Sequence, residues 1–281
     1  MSDAEESRSR VARAAAERAL VRVVHHYGER PEFVALGGLI PQLLCANAAV
    51  PHAGTTDIDV QVDLEIAGGA VNTGRLKEAL KNAEFTPDPE NVWRWRAEGE
   101  DRAVVKFELL ADLADEPAGR NVRFDDCEFL GAANLRGTGV ASEDIVITQL
   151  RAKDGGVWRT VEVNTTGIAG FLLAKVAAAH GRRAPKDFYD IAYVLLHNDI
   201  GGHEPATQLV IDKLGHRLPA LRTALVEVAA AFEQPGYEGA RAYADQVVLN
   251  APELDSRTAA ADATTVVRHL CDQLLLRMAD S

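Results

Sequence analysis

Apolar and polar positions change their period several times along the chain. Over residues 9–27 the apolar side chains Val11, Ala14, Ala15, Leu20, Val21 and Val24 recur at helical spacing, which predicts an amphipathic helix ended by GERP. Phe33-Val34-Ala35-Leu36 is then a short apolar run closed by Gly37-Gly38, and LIPQLLCANAAV follows with Pro41 in a first turn, where a helix tolerates it. The unit reads as strand, glycine turn, helix. In TTDIDVQVDLE the period drops to two, with Ile58, Val60, Val62 and Leu64 on one strand face and Asp57, Asp59, Gln61 and Asp63 on the other.

RLKEALKNAEF returns to helical spacing, and VWRWRAE and DRAVVKFELLADL predict two strands joined through a turn near Gly99. In the second of them Val105, Phe107 and Leu109 alternate against Lys106 and Glu108. Residues 137–162 carry a second hairpin on a DGG turn, an elaboration on the sheet. From Gly167 the pattern is helical to the end: GIAGFLLAKVAAAHG, PKDFYDIAYVLLHN, and several helices within 205–280 broken at Gly215, Pro219, Pro235 and Pro252. The expected class is α+β: a mixed sheet with flanking helices over residues 1–165, followed by a helical domain over 166–281.

Composition narrows the setting. The 281 residues are 47% hydrophobic, enough to bury a sizeable core. A formal net charge of −12 argues against a protein that coats nucleic acid nonspecifically, and leaves room only for a local basic groove. Cys45, Cys127 and Cys271 are widely spaced and form no CxxC or Cys/His cluster, so neither a disulfide framework nor a zinc site is indicated and a reducing cytoplasm fits. The first residues lack an apolar core, and no later run reaches the roughly 18 apolar residues of a membrane span.

The carboxylates of the period-two stretch carry the candidate chemistry. Asp57 and Asp59 leave one strand face roughly 6 to 7 Å apart. Carboxylates that close repel one another unless a cation lies between them, and a hard divalent ion such as Mg²⁺ takes oxygen ligands. The alternative is the wet face of an edge strand. Gly37-Gly38 opens a helix and can admit an anion to its backbone amides, or can be a plain turn. Glu108 offers a third carboxylate on a later strand, or a solvated strand acid. Lys175 and Arg182 are seven apart on one helix face, and Asp187 and Asp190 three apart on the next. That arrangement suits a triphosphate clamp with a supporting carboxylate, and equally an ordinary interhelical salt-bridge network.

The ordered set GG, TTDIDV, KFE and FLLAKVAAAHGRRAPKDFYDIAYVLL resembles the AbiEii/MenT-type nucleotidyltransferases, toxins of type IV-like toxin-antitoxin systems in the DNA polymerase β-like superfamily. The resemblance covers residues 34–197 and implies a polymerase β-like mixed sheet followed by a helical domain. It implies that Gly37 and Gly38 hold the nucleoside triphosphate, that Asp57, Asp59 and Glu108 bind two Mg²⁺ ions, and that Lys175, with Arg182, meets the triphosphate charge. Asp187 would orient Lys175, with Asp190 beside it. It further implies an NTP substrate, an RNA acceptor with the tRNA 3′ end foremost, and a cognate antitoxin.

Two departures stand out: Gly38 replaces a serine common in the family, and Ala53 stands where an arginine is common, leaving His52, Lys106, Lys175 or Arg182 to its work. Asp112 competes with Glu108 for the third carboxylate. An RNA groove would draw on Arg94, Arg96 and Arg102 beside Trp93 and Trp95, whereas a strand with its tryptophans in the core explains VWRWR as well. Asp63 and Glu65 read as solvated charge. The rival functions are a nucleotidyltransferase for a protein or an antibiotic, and a catalytically silent nucleotide- or partner-binding module.

Overall fold

The computed structural model describes residues 10–62, 73–98, 103–124, 127 and 129–279. The expectations placed on Asp63, Leu64, Glu65, Arg102 and the turn near Gly99 fall outside them. The chain forms an α+β structure with a mixed sheet and a C-terminal helical region. It divides into two compact units, Met1–Leu39 with Gly54–Thr166, and Ile40–Ala53 with Gly167–Ser281. The sequence reading sets a single boundary at 165/166. The units part between Thr166 and Gly167 and additionally at Leu39/Ile40 and Ala53/Gly54.

In the sheet unit, α1 (Arg10–Tyr27) ends at Gly28, whose φ of +88° takes the left-handed conformation that glycine adopts without cost. It leads to β1 (Val34–Leu36), whose Gly37–Leu39 turn hands the chain to α2 (Ile40–Leu44) of the other unit. The chain returns as β2 (Asp57–Gln61), α3 (Thr73–Asn82), β3 (Thr86–Pro87), β4 (Arg94–Glu98), β5 (Val104–Ala111), β6 (Asn121–Arg123) and β7 (Gly131–Asn134). The hairpin β8 (Ile145–Asp154) and β9 (Val157–Thr166) closes the unit.

The strand order is β3-β4-β5-β2-β1-β9-β8, with β7 continuing along β5 and β6 pairing β7. β2 is parallel to β5 and antiparallel to β1, and β9 joins β1 in parallel. One sheet face carries Ile58, Val60, Phe107, Leu109 and Trp95, all fully buried; α1 contacts β2 and β5, α3 lies against α1, and Leu20, Val23, Leu76 and Leu80 of the two helices are buried. The alternation seen in the sequence therefore sends Asp57, Asp59 and Glu108 to the opposite face. The hairpin turn is Gly155-Gly156, with φ of +54° and +84°, the pair of left-handed residues that a two-residue turn matched to strand twist requires.

The helical unit contains α4 (Ile168–Arg182), α5 (Pro185–His197), α6 (His203–Leu214), α7 (Leu218–Ala231), α8 (Glu238–Asn250) and α9 (Ser256–Ala279). Pro219 lies in the first turn of α7, where it starts a helix and does not break one. Every residue from Asp187 to Leu195 of α5 is buried, so α5 is the central rod of the bundle. The segment 40–53 is stitched to this unit: Tyr193 Oη donates to the Val50 carbonyl at 2.8 Å, Tyr189 Oη accepts the Ala53 N–H at 3.0 Å, and the Asp199 carboxylate accepts the Ala46 and Asn47 N–H groups at 3.0 and 3.1 Å.

Candidate active site

Strand register builds the acidic face. Asp59 stands beside Glu108 of β5, and Glu108 beside Arg94 of β4; one row along, Asp57 stands beside Lys106, and Lys106 beside Arg96. Directly opposed like charges such as Asp59 and Glu108 destabilise a sheet. Lys106 Nζ lies 3.3 Å from Asp57 Oδ1, and Arg94 Nε donates to Glu108 Oε1 at 2.7 Å, so Asp57 and Glu108 each carry a side-chain cation. Arg96 pairs with Asp88. Even so, burial, then Asp59, then Asp57 push the Glu108 carboxyl up to about 7, against the opposing pull of Arg94.

The glycine turn is fitted to this cluster. A Cβ on Gly37, whose φ is +76°, would lie 1.9 Å from Asp59 Oδ2, and a Cβ on Gly38 would lie 2.9 Å from the Thr55 Cβ. Any side chain at Gly37 would evict the Asp59 carboxylate. Thr55 Oγ1 in turn accepts the Asp57 N–H at 3.0 Å and fixes the entry to β2. Asp112 is committed elsewhere: its Oδ2 accepts the N–H groups of Gly137 and Gly139 at 3.0 and 2.9 Å, which leaves Glu108 as the strand-borne third acid.

Among the described residues no three His, Cys, Asp or Glu side chains are grouped to hold a metal ion. The donor set nonetheless fits a hard divalent cation in its chemistry. It is all carboxylate oxygen, it is gathered by register on one face, and Glu108 is raised by burial and then by Asp59 and Asp57, whose repulsion such a cation relieves.

The helical unit holds a second charge cluster. Lys175, 6% exposed on α4, puts Nζ 2.6 Å from Asp190 Oδ2 and 3.1 Å from Asp187 Oδ1. Arg182 forks onto Asp187, Nε to Oδ2 at 2.6 Å and Nη2 to Oδ1 at 2.8 Å. The seven-residue spacing of the two cations and the three-residue spacing of the two acids thus meet in one network. Burial alone would lower the Lys175 ammonium, but Asp190 and then Asp187 reverse this and raise it. Burial alone would raise the Asp187 carboxyl, but Lys175 and Arg182 hold it below its ordinary value.

Sequence reasoning places Asp190 only beside Asp187 and offers His52 as a stand-in for a missing arginine. The structure joins them: His52 Nε2 is 2.9 Å from Asp190 Oδ1, and the ring packs against Tyr189 and Tyr193 at centroid distances of 5.1 and 4.9 Å. The sequence signal for this pairing is no more than the irregular ANAAVPHAGTT stretch before β2, which carries no periodicity.

The VWRWR groove does not form as a stacking platform. Trp95 is fully buried, Arg94 lies over the Trp93 ring at 4.4 Å while bound to Glu108, and Arg96 is bound to Asp88. The physical reason is register: Trp95 pairs with Phe107 on the apolar face.

The chain matches no protein-family model and no curated protein sequence. No helix among the described residues is long and apolar enough to cross a membrane.

Proposed function

We propose that the chain is a metal-dependent nucleotidyltransferase of the polymerase β-like kind, related to the AbiEii/MenT-type toxins, transferring NMP from an NTP to an RNA acceptor. The observation that carries the reading is the registered row of Asp57, Asp59 and Glu108 on one sheet face, with Gly37 packed against the Asp59 carboxylate. Asp57, Asp59 and Glu108 are the residues that would hold Mg²⁺, which when bound supplies charge neutralisation for the phosphates and polarises the acceptor hydroxyl. Glu108 would also stand beside the acceptor hydroxyl as the carboxylate that takes its proton. Gly37 and Gly38 present bare backbone to the triphosphate. Lys175 and Arg182 are the cations this reading assigns to the leaving pyrophosphate, and Asp187 and Asp190 fix where the Lys175 charge sits. The acceptor named first is the tRNA 3′ end, and the setting is a cytoplasmic toxin paired with an antitoxin.

One observation favours a second reading, a silent nucleotide- or partner-binding module: Arg94 and Lys106 already occupy two of the carboxylates. The deciding experiment incubates purified protein with each labelled NTP, Mg²⁺ and, in separate arms, total tRNA, protein extract or an aminoglycoside, beside an Asp59→Asn control. Label on tRNA that the control lacks is the expected result. Label on protein or drug alone moves the acceptor, and label nowhere leaves the silent module.

A further inference from the structure

We propose that the tip of the β8–β9 hairpin, with the adjoining face of α1, is a binding groove for single-stranded RNA, an exosite apart from the carboxylate row. A groove of about 490 Å³ opens there, lined by Arg18 of α1 and by Arg151, Lys153 and Trp158 of the hairpin. β8 is the last strand of the sheet, paired only with β9 among the described residues, so the groove sits at a free edge. Trp158 is 59% exposed, an unusual position for an indole, and the Arg151 guanidinium lies 4.7 Å from its ring centroid.

Charge and spacing identify the occupant. In a chain of net charge −12, one acid, Glu17, lines the groove and pairs with Arg13 at 3.7 Å, and Asp154, next to Lys153 in the chain, binds Arg22 at 2.7 Å and Arg159 at 3.1 Å. Arg151 and Lys153 remain as groove cations with no such carboxylate among the described residues, and Arg18 adds a third positive charge to the wall. Arg151 and Lys153 are two apart on a strand, hence on one face about 6 to 7 Å apart, a spacing suited to successive phosphates of an extended strand. Lys153 is the cross-strand partner of Trp158, so the indole lies beside the track of cations, where an unpaired base can stack. A duplex hides its base faces, an acidic peptide has none, and the site therefore selects a single strand.

Trp158 is eight residues along β9 from Thr166, which lies about 27 Å away. A strand gripped at the hairpin is thus held at a distance from the chemistry, and affinity comes from the groove. This extends the RNA part of the proposed function, so the test reads binding and not transfer.

Fluorescence anisotropy of a labelled single-stranded RNA, titrated over a series of salt concentrations, compares wild type, Arg151→Ala/Lys153→Ala and Trp158→Ala, with same-sequence DNA and duplex RNA as further arms. All the hairpin positions are surface-exposed, and circular dichroism verifies that each variant is folded. The double variant should flatten the slope of log K against log salt by about 1.4, which is about 0.7 for each phosphate no longer neutralised. Trp158→Ala should weaken binding about five- to 150-fold and leave the slope alone. Wild type that fails to bind single strands, binds duplex as well, or binds equally with both hairpin variants overturns the groove. Binding with these signatures but no nucleotide transfer leaves the groove standing and counts only against the enzyme reading.

Discussion

Both units gather carboxylates and cations, yet they balance them in opposite ways. In the helical unit Asp187 and Asp190 meet Lys175 and Arg182, two charges against two, at distances from 2.6 to 3.1 Å, with His52 closing the far side of Asp190. Lys175 and Asp187 are each shifted by their partners toward the charged form. In the sheet unit Lys106 meets Asp57 and Arg94 meets Glu108, yet burial, then Asp59 and Asp57, push the Glu108 carboxyl up to about 7. A buried network that is neutral within itself rigidifies a fold and resists change. A network left with excess negative charge is destabilised until a cation arrives, which is the mark of a site. The contrast supports the proposed reading, in which the sheet face is the part that takes a metal cation.

The largest effect should come from the acidic face. Asp59→Asn keeps the shape against Gly37 and removes the charge, and it should cut nucleotide transfer at least about a thousandfold while leaving the fold intact. Gly37→Ala should do the same for a different reason: its Cβ has no room beside Asp59 Oδ2, and its φ of +76° strains any side chain, so a lower melting temperature should accompany the lost activity. If either variant transfers label at the wild-type rate, the acidic face is not the site.

Lys175→Met should be next, and it should act on stability. It strands Asp187 and Asp190 in a buried setting with one cation fewer, a loss of about 3 to 5 kcal/mol in denaturant titration. Glu108→Gln should have the opposite sign in metal-free protein at pH 8, because it relieves the repulsion from Asp59 and Asp57. If both variants destabilise alike, the two clusters are not different in kind.

Acidity separates the clusters further. Folded Glu108 keeps its proton to about pH 7, against about 4.3 for a free glutamate, so folding takes up a proton in that window. Metal-free stability should fall as pH rises from about 4.5 to 7, by up to about 3 kcal/mol, and Glu108→Gln should flatten that fall. Asp187 is held below its ordinary value, so its contribution is present above about pH 4 and is lost as pH drops below it. Melting temperature across pH 3 to 8 for wild type and Glu108→Gln reads both limbs.

What the sequence made legible was periodicity. The alternation through Asp57–Gln61, the DGG turn and the i, i+3 acids of α5 are all local patterns, and each appears as an element or a shared face. Register and long-range packing leave no such trace. That Arg94 pairs with Glu108, that Asp112 caps the Gly137–Gly139 turn, and that residues 40–53 join the helical unit through Tyr189, Tyr193 and Asp199 are contacts between segments far apart in the chain. The short β6 and β7 strands, NVR and GAAN, are too brief and too irregular to show a period. The glycine pair was visible as a turn, but the reason Gly37 has no side chain lies in Asp59, across a strand pair.

The smallest effect is also the most discriminating. An ion that binds the folded sheet face and not the unfolded chain stabilises by RT ln(1 + [L]/Kd), about 1.4 kcal/mol at tenfold over Kd. For domains of this size that is a rise of a few degrees in melting temperature. Wild type should show the rise with Mg²⁺ through the sheet face, since its helical cluster is already neutral and offers the ion nothing. Asp57→Asn should lose it, because one of two carboxylates on the same strand face is gone. A Mg²⁺-dependent rise that survives Asp57→Asn would place the ion elsewhere, and the excess charge on the sheet face would then need a different cation, such as a basic segment of a partner, to explain it.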